Sequence, residues 1–171
     1  YEYLLCSKAF KKNEYYIVSA HEDNYLHLTG LHTNLDATSF FEKCYSGTLE
    51  EADFDFCKRG QNEHEVKGSV RRKINSLPSI MNMFSAETSV EEDFEKNRIR
   101  CSLAAGNASS TLGFIVAGKA KPMTLLKGNE LNSSKARKLD LVLRRKTGET
   151  KFSEIVVGAT EQLLEHKAVL N

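Results

Sequence analysis

The sequence predicts an α+β fold in which helices pack on one central, strongly twisted antiparallel β-sheet. Three observations lead there. The first 20 residues are two β-rich runs separated by Lys11-Lys12-Asn13. Residues 36–47 and 64–77 carry apolar side chains at helical spacing. From Arg98 to Val157 the pattern returns to period-two alternation broken by turn residues.

Tyr1–Phe10 and Glu14–Ala20 read as a hairpin. Asn24–Leu31 reads as a further strand, with Leu26 and Leu28 on its core face and Tyr25, His27 and Thr29 in a row facing a cleft. Gly30 then lets the chain turn away. Asp36 is the N-cap of a short helix in which Ala37, Phe40, Phe41 and Cys44 recur at i, i+3, i+4 and i+7, and Gly47 closes it. Ser39 and Lys43 share its more polar side. Leu49–Glu63 reads as an acidic loop. A second helix over 64–77 has Val66, Val70, Ile74 and Leu77 as its stripe and Lys67 and Arg71 as a basic edge, with Arg72 and Lys73 beside it. Pro78 ends or kinks it, and Glu87–Asn97 reads as an acidic connection.

Farther on, Arg98–Leu103 alternates cleanly, with Ile99, Cys101 and Leu103 inward and Arg98, Arg100 and Ser102 outward. Gly106-Asn107 turns the chain into Thr111–Ala117, and Thr124 and Lys127 follow Pro122 in a loop or short strand. Lys138–Arg145 and Phe152–Val157 form a hairpin, and Glu161–Val169 a closing helix capped by Thr160. No repeat or linker divides residues 1–171, which read as a single domain.

Apolar residues at 40% and charged residues at 27% place the chain among soluble globular proteins. No apolar run is long enough to span a bilayer, and no basic-then-apolar leader is visible, so a cytoplasmic protein without membrane attachment is expected. Cys6, Cys44, Cys57 and Cys101 lack paired spacing, as do the five histidines, so free buried thiols, no metal and no cofactor are expected. Phosphate-binding glycine loops and nucleophile elbows are absent. Net charge is +1 overall but unevenly spread. Residues 1–97 hold 11 Lys and Arg against 17 Asp and Glu, a net of −6, and residues 98–171 hold 13 against 6, a net of +7. Such a split points either to a local anion-binding surface, with nucleic acid the commonest partner, or to two halves that neutralise each other on packing.

The strings Tyr25-Leu-His-Leu-Thr-Gly30, Ser39-Phe-Phe-Glu-Lys43 and Pro122-Met-Thr-Leu-Leu-Lys127, in that order, resemble the phage-type barnase–EndoU–colicin–RelE-like nuclease family of phages, conjugative elements and toxin loci. The resemblance implies helices preceding or packing over a central antiparallel sheet of about four strands. It also implies metal-independent cleavage of RNA through the ribose 2′-hydroxyl, often in a toxin held in check by a neutralising antitoxin or immunity protein.

Such cleavage needs a base for the 2′-hydroxyl, an acid for the leaving 5′-oxygen, and cations or N–H groups around the phosphorane. His27 is the first candidate for proton transfer, against the alternative of a core histidine satisfied by a carbonyl. Tyr25 and Thr29 would flank it as a stacking ring and an orienting hydroxyl. His32, His64 and His166 read as solvated. Lys43 is either a phosphate contact, as the family block suggests, or compensation for a helix C-terminus. Thr124 and Lys127 are suited to clamp a phosphate. Arg98, Arg100 and Ser102 form a phosphate track, with Arg71, Lys67 and Arg72 as a second basic edge, unless both are merely solvated faces. The expected function is a toxin or phage-defence endoribonuclease. The alternative is a non-catalytic RNA- or protein-binding module of a mobile genetic element, because only one convincing proton-transfer residue is visible.

Overall fold

A computed structural model of the chain describes residues 1–166. Among the described residues, eleven strands and four helices follow one another along the chain. β1 (Glu2–Cys6) and β2 (Tyr15–Ser19) form the expected hairpin. The helical region follows, with α1 (Asn24–Thr29), the two-residue β3 (His32–Thr33), α2 (Ala37–Ser46), the equally short β4 (Phe54–Asp55) and α3 (Glu63–Ser76). Pro78 leads α3 into a tight 3₁₀ segment, Leu77–Asn82. β5 (Ser89–Lys96), β6 (Ile99–Gly106), β7 (Ser110–Ala117) and β8 (Lys119–Lys127) make a meander. β9 (Arg137–Lys138), β10 (Leu141–Arg145), β11 (Glu154–Val157) and α4 (Thr160–Glu165) complete the order.

Nine strands form one sheet in the order β11-β10-β1-β2-β8-β7-β6-β5-β9, larger than the family resemblance led one to expect. All pairs are antiparallel except β2 and β8, which run parallel and meet at Val18 and Ala120. That exception corrects the all-antiparallel expectation. A parallel pair needs a long crossover, and the whole helical region supplies it. The expected Lys138–Arg145 strand is split: β9 pairs with β5 at one end of the sheet, and β10 pairs with β1 near the other. Only Leu139 and Asp140 separate them, so the sheet curls until its two ends approach.

One face of the sheet gathers Leu5, Val18, Leu103, Phe114, Leu125 and Val142, and Leu28 of α1 joins that core. α1 and α3 both lie against β8. The opposite face holds two smaller clusters, around Leu4 and Leu141 and around Phe94, Cys101 and Ala104. No helix of the described residues is long and apolar enough to cross a membrane. The cysteines are free, and Cys57 is exposed rather than buried.

Two segments depart from the sequence reading. The expected Tyr25–Leu31 strand is instead the helix Asn24–Thr29 and its cap. In so short a stretch Leu26 and Leu28 alternate, but Asn24 and Leu28 also stand at i and i+4, and both are buried. Gly30 takes a left-handed φ of 72° and donates to the Leu26 carbonyl, a helix C-cap. Glu87–Asn97 is β5 and not a connection, because its acids have partners. Glu91 accepts from the Asn132 N–H, and Glu92 accepts from the Lys11 and Lys12 N–H groups and the Tyr16 hydroxyl. At the C-terminus the cap of α4 is Ala159, with Thr160 already helical, and the expected helix residues 167–169 lie outside the described residues.

Glu2 is buried on β1 and accepts from Lys119 of β8 (2.5 Å) and from the Arg145 guanidinium of β10 (2.8 Å). Burial alone would raise its pKa, but the bonds from Lys119, Arg145 and Ser19 outweigh it and hold the pKa at about 2, against an ordinary 4.5. Folding therefore favours the ionised form. Its contribution is complete above the ordinary value and is lost as pH falls toward 2. Glu2→Gln should lower stability at neutral pH by on the order of 3 kcal/mol and flatten the acid limb of the stability curve. Denaturant titrations across that range check this, and an unchanged curve contradicts it.

Gly113 of β7 faces Thr124 of β8, and a Cβ built there would sit 2.5 Å from Cys101 Sγ and 2.8 Å from Thr124 Cγ2. Gly113→Ala should cost about 1–3 kcal/mol by overpacking, and Cys101→Ala in the same chain should recover part of it. Equal denaturation midpoints for Gly113→Ala and wild type would contradict the packing account.

Candidate active site

α1 ends where the site begins. Thr29 is buried, donates through Oγ1 to the Leu26 carbonyl at 2.8 Å and accepts from the Leu31 N–H, so it shapes the helix end. The Lys73 side chain of α3 lies across Gly30, where a Cβ would meet its Nζ at 3.2 Å, and its ammonium approaches the His27 carbonyl at 3.4 Å. A cation is favourable there because the last carbonyls of a helix are unpaired and electronegative. Burial pushes the Lys73 pKa down, and the neighbouring Lys58 pushes it further.

Two residues beyond Gly30, His32 pairs with Asp55 across the small β3–β4 ribbon. Its Nδ1 stands 2.9 and 3.0 Å from the two carboxylate oxygens. The Cys57 N–H, at 2.7 Å, and then His32 hold the Asp55 pKa below the usual carboxylate range. A carboxylate on Nδ1 fixes the ring and leaves Nε2 as the nitrogen free to exchange a proton. His32 borders a cavity of about 820 Å³ whose wall also includes Phe54, Phe56, Lys58, Arg59 and Gln61. His32 is exposed, as expected, but it lies on β3 and is paired with Asp55. Its partner lies 23 positions away, in a loop read only as acidic, and a two-residue strand carries too little periodicity to foretell the pairing.

His27 is exposed on α1, and Tyr25 is half-buried between Phe40 (6.3 Å) and Phe41 (5.6 Å) of α2. Lys43 binds both carboxylate oxygens of Asp53, at 2.7 and 2.8 Å, which lowers the Asp53 pKa. Thr124 is buried on β8 and fills the notch over Gly113, whereas Lys127 is exposed at the end of that strand. Arg71 is exposed on α3, and Arg98 in the β5–β6 turn. Arg100 pairs with Glu95 at 3.1 Å, and Ser102 accepts from the Val116 N–H. Among the described residues no hydrogen bond or ion pair joins any two of His27, Lys43, Thr124 and Lys127. No group of three or more His, Cys, Asp or Glu among them is placed to hold a metal ion.

A family model described as phage-Barnase-EndoU-ColicinE5/D-RelE like nuclease4 matches residues 1–161. No curated protein and no solved structure matches the chain. A match over nearly the whole length makes this chain a member of the phage-Barnase-EndoU-ColicinE5/D-RelE like nuclease family, and its substrate a nucleic acid.

Proposed function

We propose that the protein is a metal-independent endoribonuclease of toxin or phage-defence type, cutting RNA by attack of the ribose 2′-hydroxyl on the adjacent phosphate. The observation that carries this reading is His32, held by Asp55 at the mouth of a cavity rimmed by Lys58 and Arg59. A nucleophile already attached to the substrate needs only positioning and deprotonation, which an oriented imidazole provides. Lys58, Arg59 and Lys73 would stabilise the phosphorane, whose negative charge grows in the transition state. His27, on the last turn of α1 with its carbonyl facing Lys73, is the second proton-transfer group in this scheme. The 2′-oxygen displaces the 5′-oxygen, leaving a 2′,3′-cyclic phosphate, and the proton taken from the first is returned to the second.

Lys43 and Thr124 act as positioning residues in this scheme, since one is bound to Asp53 and the other is packed against Gly113. Lys127, Arg71 and the Arg98–Arg100–Ser102 face are assigned to the phosphate track, and Tyr25 and Thr29 to the α1 frame. In this reading residues 1–171 form one cytoplasmic domain whose helices layer on the sheet, with a neutralising protein as its partner.

Purified protein should cut RNA in the presence of a chelator and yield cyclic phosphate ends. His32→Ala and His27→Ala should each slow cleavage at least about a hundredfold, with circular dichroism unchanged. Cleavage abolished by the chelator, or surviving a 2′-deoxy sugar at the cut site, would contradict the mechanism. RNA binding without any cleavage would favour the binding-module reading instead.

Replacing Arg98 and Arg100 with Ala should lower the slope of log affinity against log salt by about 0.7 for each single-strand phosphate that the variant no longer neutralises. An unchanged slope would remove this strand face from the substrate path.

A further inference from the structure

We infer that the seam where the curled sheet closes on itself binds a compact phosphate dianion, either inorganic phosphate or the terminal phosphate of a monoester. The seam holds a cavity of about 240 Å³ that shares no lining residue with the one beside His32. The β1–β2 connection supplies Lys11 and Lys12, β5 supplies Glu92 and Asp93, and the segment entering β9 supplies Lys135 and Arg137. The hairpin connection and the β5–β9 edge stand far apart in the strand order, and the curl brings them together.

Both acids at this opening already have partners. Glu92 accepts from the Lys11 N–H at 2.8 Å, the Lys12 N–H at 3.1 Å and the Tyr16 hydroxyl at 2.5 Å. Asp93 meets Lys12 Nζ with both oxygens, at 2.7 and 2.6 Å. It does so from a φ of 52°, rare for a residue other than glycine, and it has no registered partner on β6 although Glu92 and Phe94 do. Among the described residues no carboxylate pairs with Lys11, Lys135 or Arg137. Arg137 is half-buried, and its Nη1 donates to the Ser134 and Ala136 carbonyls at 3.0 and 2.9 Å. Two main-chain acceptors thus fix the guanidinium and leave its other N–H donors for a ligand.

Charge and size then select the occupant. Four cations against two carboxylates leave the opening at 4 − 2 = +2. A phosphate monoester carries about −1.5 to −2 at neutral pH and offers three strong acceptor oxygens, which matches that excess. A carboxylate or a phosphodiester brings a single charge and leaves a cation uncompensated. A planar guanidinium fork also suits a phosphate better than a point ammonium would. The volume falls below the roughly 300 Å³ at which sites for larger organic ligands begin, so the ligand is a small anion and not a strand crossing the surface. Phe10 and Val90 line the same opening and give the organic part of a monoester an apolar surface.

Isothermal titration calorimetry at constant ionic strength, with inorganic phosphate, phenyl phosphate, dimethyl phosphate and acetate as probes, tests the site. Inorganic phosphate, phenyl phosphate or both should bind the wild-type protein at least about tenfold more tightly than dimethyl phosphate and acetate. Tighter binding of phenyl phosphate assigns the site to a monoester, and phenyl phosphate no tighter than phosphate assigns it to inorganic phosphate. Arg137→Lys keeps the charge and loses the fork, and Lys135→Ala removes a charge from an exposed position. Each should weaken the preferred anion at least about tenfold, whereas Lys146→Ala, on the β10–β11 turn, should leave it unchanged. Equal affinity for all four anions, or no binding of any, would overturn the inference whether or not the variants fold. Undiminished binding to both Arg137→Lys and Lys135→Ala would overturn it as well, because the anion would then sit elsewhere.

Discussion

The buried carboxylate of Glu2 is the constraint on which the rest of the architecture depends. It sits on β1 and accepts from cations on β10 and β8, so one side chain ties strands on both sides of the sheet's parallel join. That join is otherwise thin, with Val18 and Ala120 as its registered pair. An unpaired carboxylate at this depth would cost several kcal/mol, which makes the two cations a condition of folding and not an ornament. Part of the charge difference between the two halves of the chain is used in the same way. Glu2 with Lys119 and Arg145, and Glu95 with Arg100, pair an acid of residues 1–97 with a base of residues 98–171.

The parallel join also determines where the site forms. β2 leads through a short turn into α1, and α1 lies against β8, so the pairing of β2 with β8 fixes where α1 ends. At that end Gly30 adopts the left-handed conformation, and Lys73 of α3 occupies the space a side chain would need. The chain then enters the β3–β4 ribbon within two residues, which presents His32 to Asp55. Each step is local, yet the outcome is a histidine, a carboxylate and several cations drawn from three separate segments.

Where the sequence carried several independent signals, its reading survived. The α2 helix had a cap, an apolar stripe and a closing glycine, and Asp36 does accept from the Ser39 N–H while Gly47 ends the helix. The alternation of β6 was equally legible, with Cys101 and Leu103 buried, and α3 was so in its first turns, with Val66 and Val70 buried, but Ile74 of its expected stripe is exposed. The short segments failed because six residues hold too few repeats to separate period two from period 3.6: Leu26 and Leu28 fit the first, Asn24 and Leu28 the second. β5 failed for another reason: a dense run of acids reads as solvated until their distant partners are known. His32 is exposed as read, but nothing near it in sequence foretells its pairing with Asp55.

The central claim, that the phosphate to be cut lies at the His32–Asp55 pair, is tested most directly by a crystal structure with a bound 2′-O-methyl RNA strand. The account predicts a phosphodiester in the cavity walled by Phe54 and Phe56, with His32 Nε2 about 3 Å from its 2′- or 5′-oxygen. A strand bound along β6 and β7 with its nearest phosphate beyond reach of His32 would contradict it.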